Sequence, residues 1–369
     1  MKRIVVAALL LAGCGAQVQP HTDLSTCGES GACYAKALGE LVDQARDPSA
    51  AVDGIVSAAY AQQGYLLANC HGLMHTVGRE YVARHHISIA KLMDYLPRSN
   101  DPACAAGYAH GLVTGMAPQI EAAGGAKAAV ICKQSTTRMQ RYSCVHGFGH
   151  AFMRLNNDEL KPALELCAQL GSASAPDCAQ GAFHDYWFAA KGLDDAPHPS
   201  SVLPPRELCA GMTRAFVRPC WYRAFIESAK PVAPVTSPQG IDALCDGLSG
   251  LQRQGCVTGA IMTGPADPRE ELAICTGVRP ADALSCIRGT KVTNMLGYDP
   301  RIYPILIGDC EHFEGAVSLA CDRWLGKAIG VITDGKFAAS GCPLLATGRA
   351  RAACVQGVKG MNGALVTFS

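Results

Sequence analysis

Apolar positions in this chain cluster in short helical stretches rather than in alternating runs. "ALELCAQL", "RELCAGM", "DALCDGL" and "LAICTGV" are apolar segments broken by single polar residues. A polar link of several residues follows, often with Pro, Gly or Asp, as in "GSASAPD" and "MTRAFVRP". A second apolar stretch then opens on a cysteine, commonly as Cys-x-x-Gly: "CAQGAF", "CVTGAI", "CIRGTK", "CVQGVK". Period-two alternation is nowhere sustained, which argues against strands. The pattern predicts an all-α chain of hairpins, each a helix A, a polar link and a helix B.

The cysteines give the hairpins a period. From residue 132 onward they fall into seven pairs: Cys132/Cys144, Cys167/Cys178, Cys209/Cys220, Cys245/Cys256, Cys275/Cys286, Cys310/Cys321 and Cys342/Cys354. The separation within a pair is 11 or 12, and successive pairs start 30 to 42 residues apart. A fixed period in this range is the signature of a repeat array. Each pair is expected to form a disulfide tying the end of helix A to the start of helix B. Gly107, Gly147, Gly181, Gly259, Gly289 and Gly357 all lie three residues after the second cysteine. There a side chain would obstruct close packing of neighbouring helices.

Toward the amino terminus the rule loosens. "CHGLMHTVGREYV" from Cys70 and "CAAGYAHGLVTGM" from Cys104 both read as helix B, but the preceding helices, near 50–63 and 87–95, lack the partner cysteine. The four remaining cysteines allow three pairings; Cys70–Cys104 and Cys27–Cys33 are the expected ones. About nine hairpins of some 35 residues result, forming an α-solenoid or a closed α/α ring. Residues 31–200 carry most of the histidines and 201–369 few, with no break expected between them.

Composition sets the compartment. Charged residues are only 17% and the net charge is +1, so there is no electrostatic footprint for nucleic acid. Nineteen cysteines in one chain suit an oxidising compartment. The first fourteen residues, "MKRIVVAALLLAGC", have a basic start and an apolar run too short to span a bilayer, an export signal. Leu11-Ala12-Gly13-Cys14 resembles the lipobox of bacterial lipoproteins. That resemblance implies removal of residues 1–13, lipidation of Cys14, a tether over 14–30 and membrane attachment through the lipid. Gly15 after the cysteine, rather than an acidic residue, points within that family to the outer membrane, facing the periplasm. Without Cys14, eighteen cysteines remain, an even number. The stapled hairpins resemble the Sel1-like repeats of cysteine-rich bacterial secreted proteins, which use tighter cysteine spacing and a Gly-x-x-Tyr signature absent here. The resemblance implies architecture and no residue roles.

The histidines follow the repeat. Counting from the helix B cysteine, His110, His150 and His184 all stand at plus six. His75 stands at plus five, in a unit whose glycine is also shifted by one. The later units place Ile226, Met262, Val292, Lys327 and Gly360 there. His71 and His146 precede His75 and His150 by four residues, so each pair shares a helix face and can point two imidazoles at one ion. A metal site built from His71, His75, His110, His146, His150 and His184 is therefore expected. Imidazole donors suit zinc, copper or iron; non-covalent haem held by two histidines ranks behind them. Asp185 and Glu80 are candidate carboxylate ligands or partners. If the ion does chemistry, Asp185, Glu80 or Tyr108 would handle protons. A lone histidine in an apolar helix is more often a hydrogen-bonded core residue, so the expectation rests on four units sharing one position. No Cys-x-x-Cys-His, His-Glu-x-x-His, Gly-x-Ser-x-Gly or phosphate loop is present. The competing reading is a metal-free repeat scaffold for an envelope protein partner.

Overall fold

The computed structural model describes residues 24–99, 101, 103–190, 203–227, 234–265, 267–290, 302–332 and 336–359. The leader, Cys14 and His198 lie outside them. Among the described residues every regular element is helical. The α-helices run α1 (Gly31–Gln44), α2 (Pro48–Gln62), α3 (Gly64–His85), α4 (Leu92–Tyr95), α5 (Cys104–Gly115), α6 (Ala117–Ala122), α7 (Arg138–Leu155), α8 (Leu160–Ala168), α9 (Ala175–Ala190) and α10 (Pro205–Ala210). Then follow α11 (Val217–Glu227), α12 (Pro238–Leu244), α13 (Gly250–Ile261), α14 (Pro268–Thr276), α15 (Ala283–Gly289), α16 (Ile302–Gly308), α17 (Gly315–Ile332), α18 (Lys336–Ser340) and α19 (Gly348–Lys359).

The odd-numbered helices from α3 to α19 are the B helices. Each packs on the next, and the stack runs unbroken from α3 through α9 and α11 to α19. It curves enough that α17 also touches α7. The A members are smaller than expected. Cys132, Cys310 and Cys342 sit in 3₁₀ segments, Gly125–Gln134, Asp309–His312 and Cys342–Leu344, and the predicted helix near 87–95 is a 3₁₀ turn, Ile89–Lys91, running into α4. A short segment suffices because the disulfide, rather than a long helix–helix seam, anchors it to helix B.

Nine disulfides form among the described residues. Seven close the regular hairpins with the partners that the spacing predicts: Cys132–Cys144, Cys167–Cys178, Cys209–Cys220, Cys245–Cys256, Cys275–Cys286, Cys310–Cys321 and Cys342–Cys354. The second cysteine of each pair, however, does not open helix B as its place in the apolar pattern suggests. Cys178, Cys220 and Cys286 are the fourth residues of α9, α11 and α15. Cys144, Cys256, Cys321 and Cys354 are the seventh residues of α7, α13, α17 and α19. A helix starts where its backbone can be capped, not where its apolar face begins. Thr137 caps α7 two turns ahead of Cys144, so the polar link is itself partly helical. The staple therefore enters helix B on its flank, and Cys144, Cys178, Cys220, Cys256, Cys321 and Cys354 are all fully buried.

The other two bonds are also the expected ones. Cys27–Cys33 closes the turn into α1. Cys70–Cys104 differs in kind: it ties the second turn of α3 to the first residue of α5, joining two B helices directly.

The plus-three glycines set the spacing of the B helices. A Cβ on Gly107 would collide with the carbonyl oxygen of His71, and one on Gly181 with that of His146. Gly289 and Gly357 meet the carbonyls of Thr258 and Arg323 in the same way. Backbone cannot yield as a side chain can, so these contacts let neighbouring helices approach closely, at Gly107 and Gly181 against the histidine-bearing residues themselves.

Candidate metal centre

Local sequence fixes the phase of each histidine-bearing helix. Thr137 at the start of α7 accepts from the backbone N–H of Gln140 at 3.1 Å, while Gln140 Oε1 accepts from the Thr136 N–H at 2.8 Å. Asp101 accepts from the Ala105 N–H at 3.1 Å at the start of α5, and Tyr60 donates to its other oxygen at 2.9 Å. α3 begins at Gly64; Gln63 and Gly64, both with positive φ, turn the chain sharply out of α2. With these starts set, α3 presents His71 and His75, α5 His110, α7 His146 and His150, and α9 His184.

All six rings meet. His110 touches both i,i+4 pairs, 5.2 Å from His71 and from His75, 4.4 Å from His146 and 5.3 Å from His150, centroid to centroid. His75 and His150 are 4.7 Å apart, and His150 and His184 5.0 Å. His146 and His150 are 0% exposed and His110 2%, while His71 and His75 are half-buried. Donor nitrogens form two triads, His71/His75/His110 and His110/His146/His150, each within 4.8 Å of one another. A tetrahedral shell with bonds near 2.0–2.1 Å needs donors about 3.3 Å apart. Small imidazole rotations would draw either triad together.

Hydrogen bonding selects the tautomers. His150 Nδ1 donates to Asp185 Oδ1 at 2.6 Å, leaving Nε2 as the lone-pair nitrogen. His71 Nδ1 donates to the Ala103 carbonyl at 3.1 Å with the same result. A carboxylate or carbonyl behind a histidine is the usual arrangement around metal ligands. His184 is oriented the other way: Arg223 Nη1 donates to its Nδ1 at 3.1 Å, which puts the proton on Nε2. His184 accordingly belongs to neither triad, although its ring packs against them. It stands beside the donors rather than among them.

The electrostatics favour the neutral form at four of the imidazoles, the form that metal ligation requires. Burial holds His75, His110, His146 and His184 well below the ordinary histidine range. Neighbouring imidazoles add to the shift, and Arg223 does so for His146 and His184. A purely structural core histidine would be hydrogen-bonded. Here Nε2 of His75 and of His150, and both ring nitrogens of His110 and of His146, are buried with no hydrogen bond. Each such group costs about 1–3 kcal/mol when left unsatisfied.

Two candidates fall outside the site. Glu80 is exposed and pairs with Arg84 at 2.9 Å. Five residues past His75 it lies about 140° round the helix from that ring. Tyr108 is fully buried against Tyr81, 6.3 Å away, on the face of α5 opposite His110. Burial raises its hydroxyl far above the ordinary range, so it is no proton donor or acceptor for the cluster. Met74 and Met153 are core residues. Three arginines escape the motif reading. Arg223 occupies the plus-three position that glycine holds in six of the other units. Arg79 and Arg154 each lie one turn beyond a histidine pair, in "HGLMHTVGR" and "HGFGHAFMR", and their charges reach His75.

No protein-family model matches the chain, and neither the curated proteins nor the solved structures contain a match.

Proposed function

We propose that this protein binds a transition-metal ion at the histidine cluster between α3, α5, α7 and α9, within a disulfide-stapled repeat carried in the bacterial cell envelope. The observation that carries the reading is the convergence of two i,i+4 histidine pairs on His110, with buried ring nitrogens that make no hydrogen bond. The all-imidazole donor set suits zinc, copper or iron, and the cysteines beside it, Cys70, Cys104, Cys144 and Cys178, are unavailable because they form disulfides. Asp185 acts through His150, orienting it, rather than as a ligand. The helical repeats hold the ligands, and those beyond α9 buttress them through α11, whose Arg223 fixes His184.

Elemental analysis of untagged protein exported into an oxidising compartment tests the reading. Stoichiometric metal that falls in a His146→Ala/His150→Ala double variant supports it. Protein without metal after growth and purification with each of zinc, copper and iron would overturn it. Attachment through Cys14 is tested separately: Cys14→Ser should leave the protein out of the membrane fraction and unlabelled by radioactive fatty acid. Among the described residues no helix is long and apolar enough to cross a membrane.

A further inference from the structure

We infer that the cluster holds two cations, with the ring of His110 bridging them as an imidazolate. This rests on the metal reading above and deepens it. The two donor triads share His110 and no other residue. His110 touches both the α3 pair and the α7 pair, all four centroids lying within 5.3 Å of its own.

A neutral imidazole serves one ion through one nitrogen and keeps a proton on the other. With a single ion, the second nitrogen of His110 would remain a buried N–H. Both of its nitrogens are buried and neither makes a hydrogen bond. Bridging satisfies both at once. As the second cation binds, the N–H proton leaves to solvent, its electron pair stays on nitrogen as the second metal bond, and nothing is oxidised or reduced. His146 also has two unbonded nitrogens, but it belongs to one triad only.

The two positions are unequal. His110, His146 and His150 are buried, and Asp185 backs the last of them, so the inner ion sits in a closed shell. His71 and His75 are half-buried residues with buried Nε2 atoms, so the outer ion lies nearer the surface than the inner one. Closed shells are typical of structural ions and open ones of reactive ions. The imidazolate and Asp185 together offset two of four positive charges. The remainder favours an anion, hydroxide or a small oxyanion, on the outer ion.

Stripped full-length protein is titrated with zinc(II) and with copper(II), and bound metal is counted. The inference expects two equivalents of each. One equivalent should survive in His71→Ala/His75→Ala and one in His146→Ala/His150→Ala. The copper form should show a spin-coupled pair in its paramagnetic resonance spectrum, lost in His110→Ala. One equivalent in the wild-type protein would overturn the second site while leaving the metal reading intact. Two equivalents without coupling would overturn the bridge. No bound metal would overturn both. The wild-type count and spectrum decide these outcomes even if a variant misfolds.

Discussion

His150 and Asp185, thirty-five residues apart, meet at 2.6 Å in a nearly dry interior, Nδ1 donating to Oδ1. The contact joins α7 to α9 and turns the lone-pair nitrogen of His150 toward His110 and His146.

Asp185→Asn should therefore weaken metal binding without removing a ligand. Loss of such a partner typically costs 10–100-fold in affinity, and a shift of that size is expected here. Competition with a chromophoric chelator measures it. An unchanged affinity would mean that helix packing alone orients His150.

Glycine substitutions should separate close approach from helix propensity. Alanine is favoured over glycine in a helix by about 1 kcal/mol. Gly54, in α2, has open space around its Cα, so Gly54→Ala should stabilise. Gly107→Ala and Gly181→Ala push a methyl into the backbone carbonyls of His71 and His146 and should cost about 1–3 kcal/mol. Both should also loosen metal, because the helices that part are the ones that hold it. Chemical denaturation of the three variants checks the signs.

Much of this arrangement is legible in the sequence because it repeats. Disulfides need their Cα atoms close, and a recurring 11–12 spacing leaves few partners, so the staples can be paired by arithmetic. Where each helix begins is less legible, because the polar turns ahead of Cys144 or Cys256 carry no apolar stripe and are still helical. Glycine at plus three and histidine at plus six are visible as columns once the cysteines are aligned. Single departures from the columns are harder to read. Arg223 stands where the aligned position is usually glycine, and that exception is the available sign that it does something else. Arg79 and Arg154 extend each histidine pair by a further i,i+4 step, a stripe visible only when both motifs are laid side by side. Glu80 and Tyr108 mislead because nearness in sequence is not nearness on a helix: five and two residues from a histidine, they face away.

Acid should destabilise the metal-free protein through the cluster. His75, His110, His146 and His184 resist protonation when folded, yet in the unfolded chain they take up protons near pH 6.5. Below that pH the unfolded state binds more protons, so stability falls as pH falls, by up to about 1.4 kcal/mol per unit for each imidazole. Asp177 and Asp322 act in the opposite sense. Burial raises both, Asp322 to about 6, and each binds its proton earlier when folded. Comparing urea midpoints of stripped wild type and His146→Gln from pH 7.5 to 4.5 isolates the imidazole part. The gap should shift in favour of the variant below about pH 6.5; parallel curves would contradict the burial argument.

Removing Cys70–Cys104 should harm the metal site more than removing a distant staple. The bond closes a sequence separation of 34, for which chain entropy suggests about 4 kcal/mol, against roughly 3 kcal/mol for the separation of 11 at Cys275–Cys286. The larger difference is local. Cys70 adjoins His71, and Cys104 opens the helix that carries His110, so this bond sets how far apart the donors of the outer triad lie. Cys70→Ala/Cys104→Ala should lower metal affinity at His71, His75 and His110 while sparing His146 and His150. Cys275→Ala/Cys286→Ala should lower stability and leave affinity unchanged. Equal losses of affinity in both variants would show that metal binding follows global stability rather than the α3–α5 spacing.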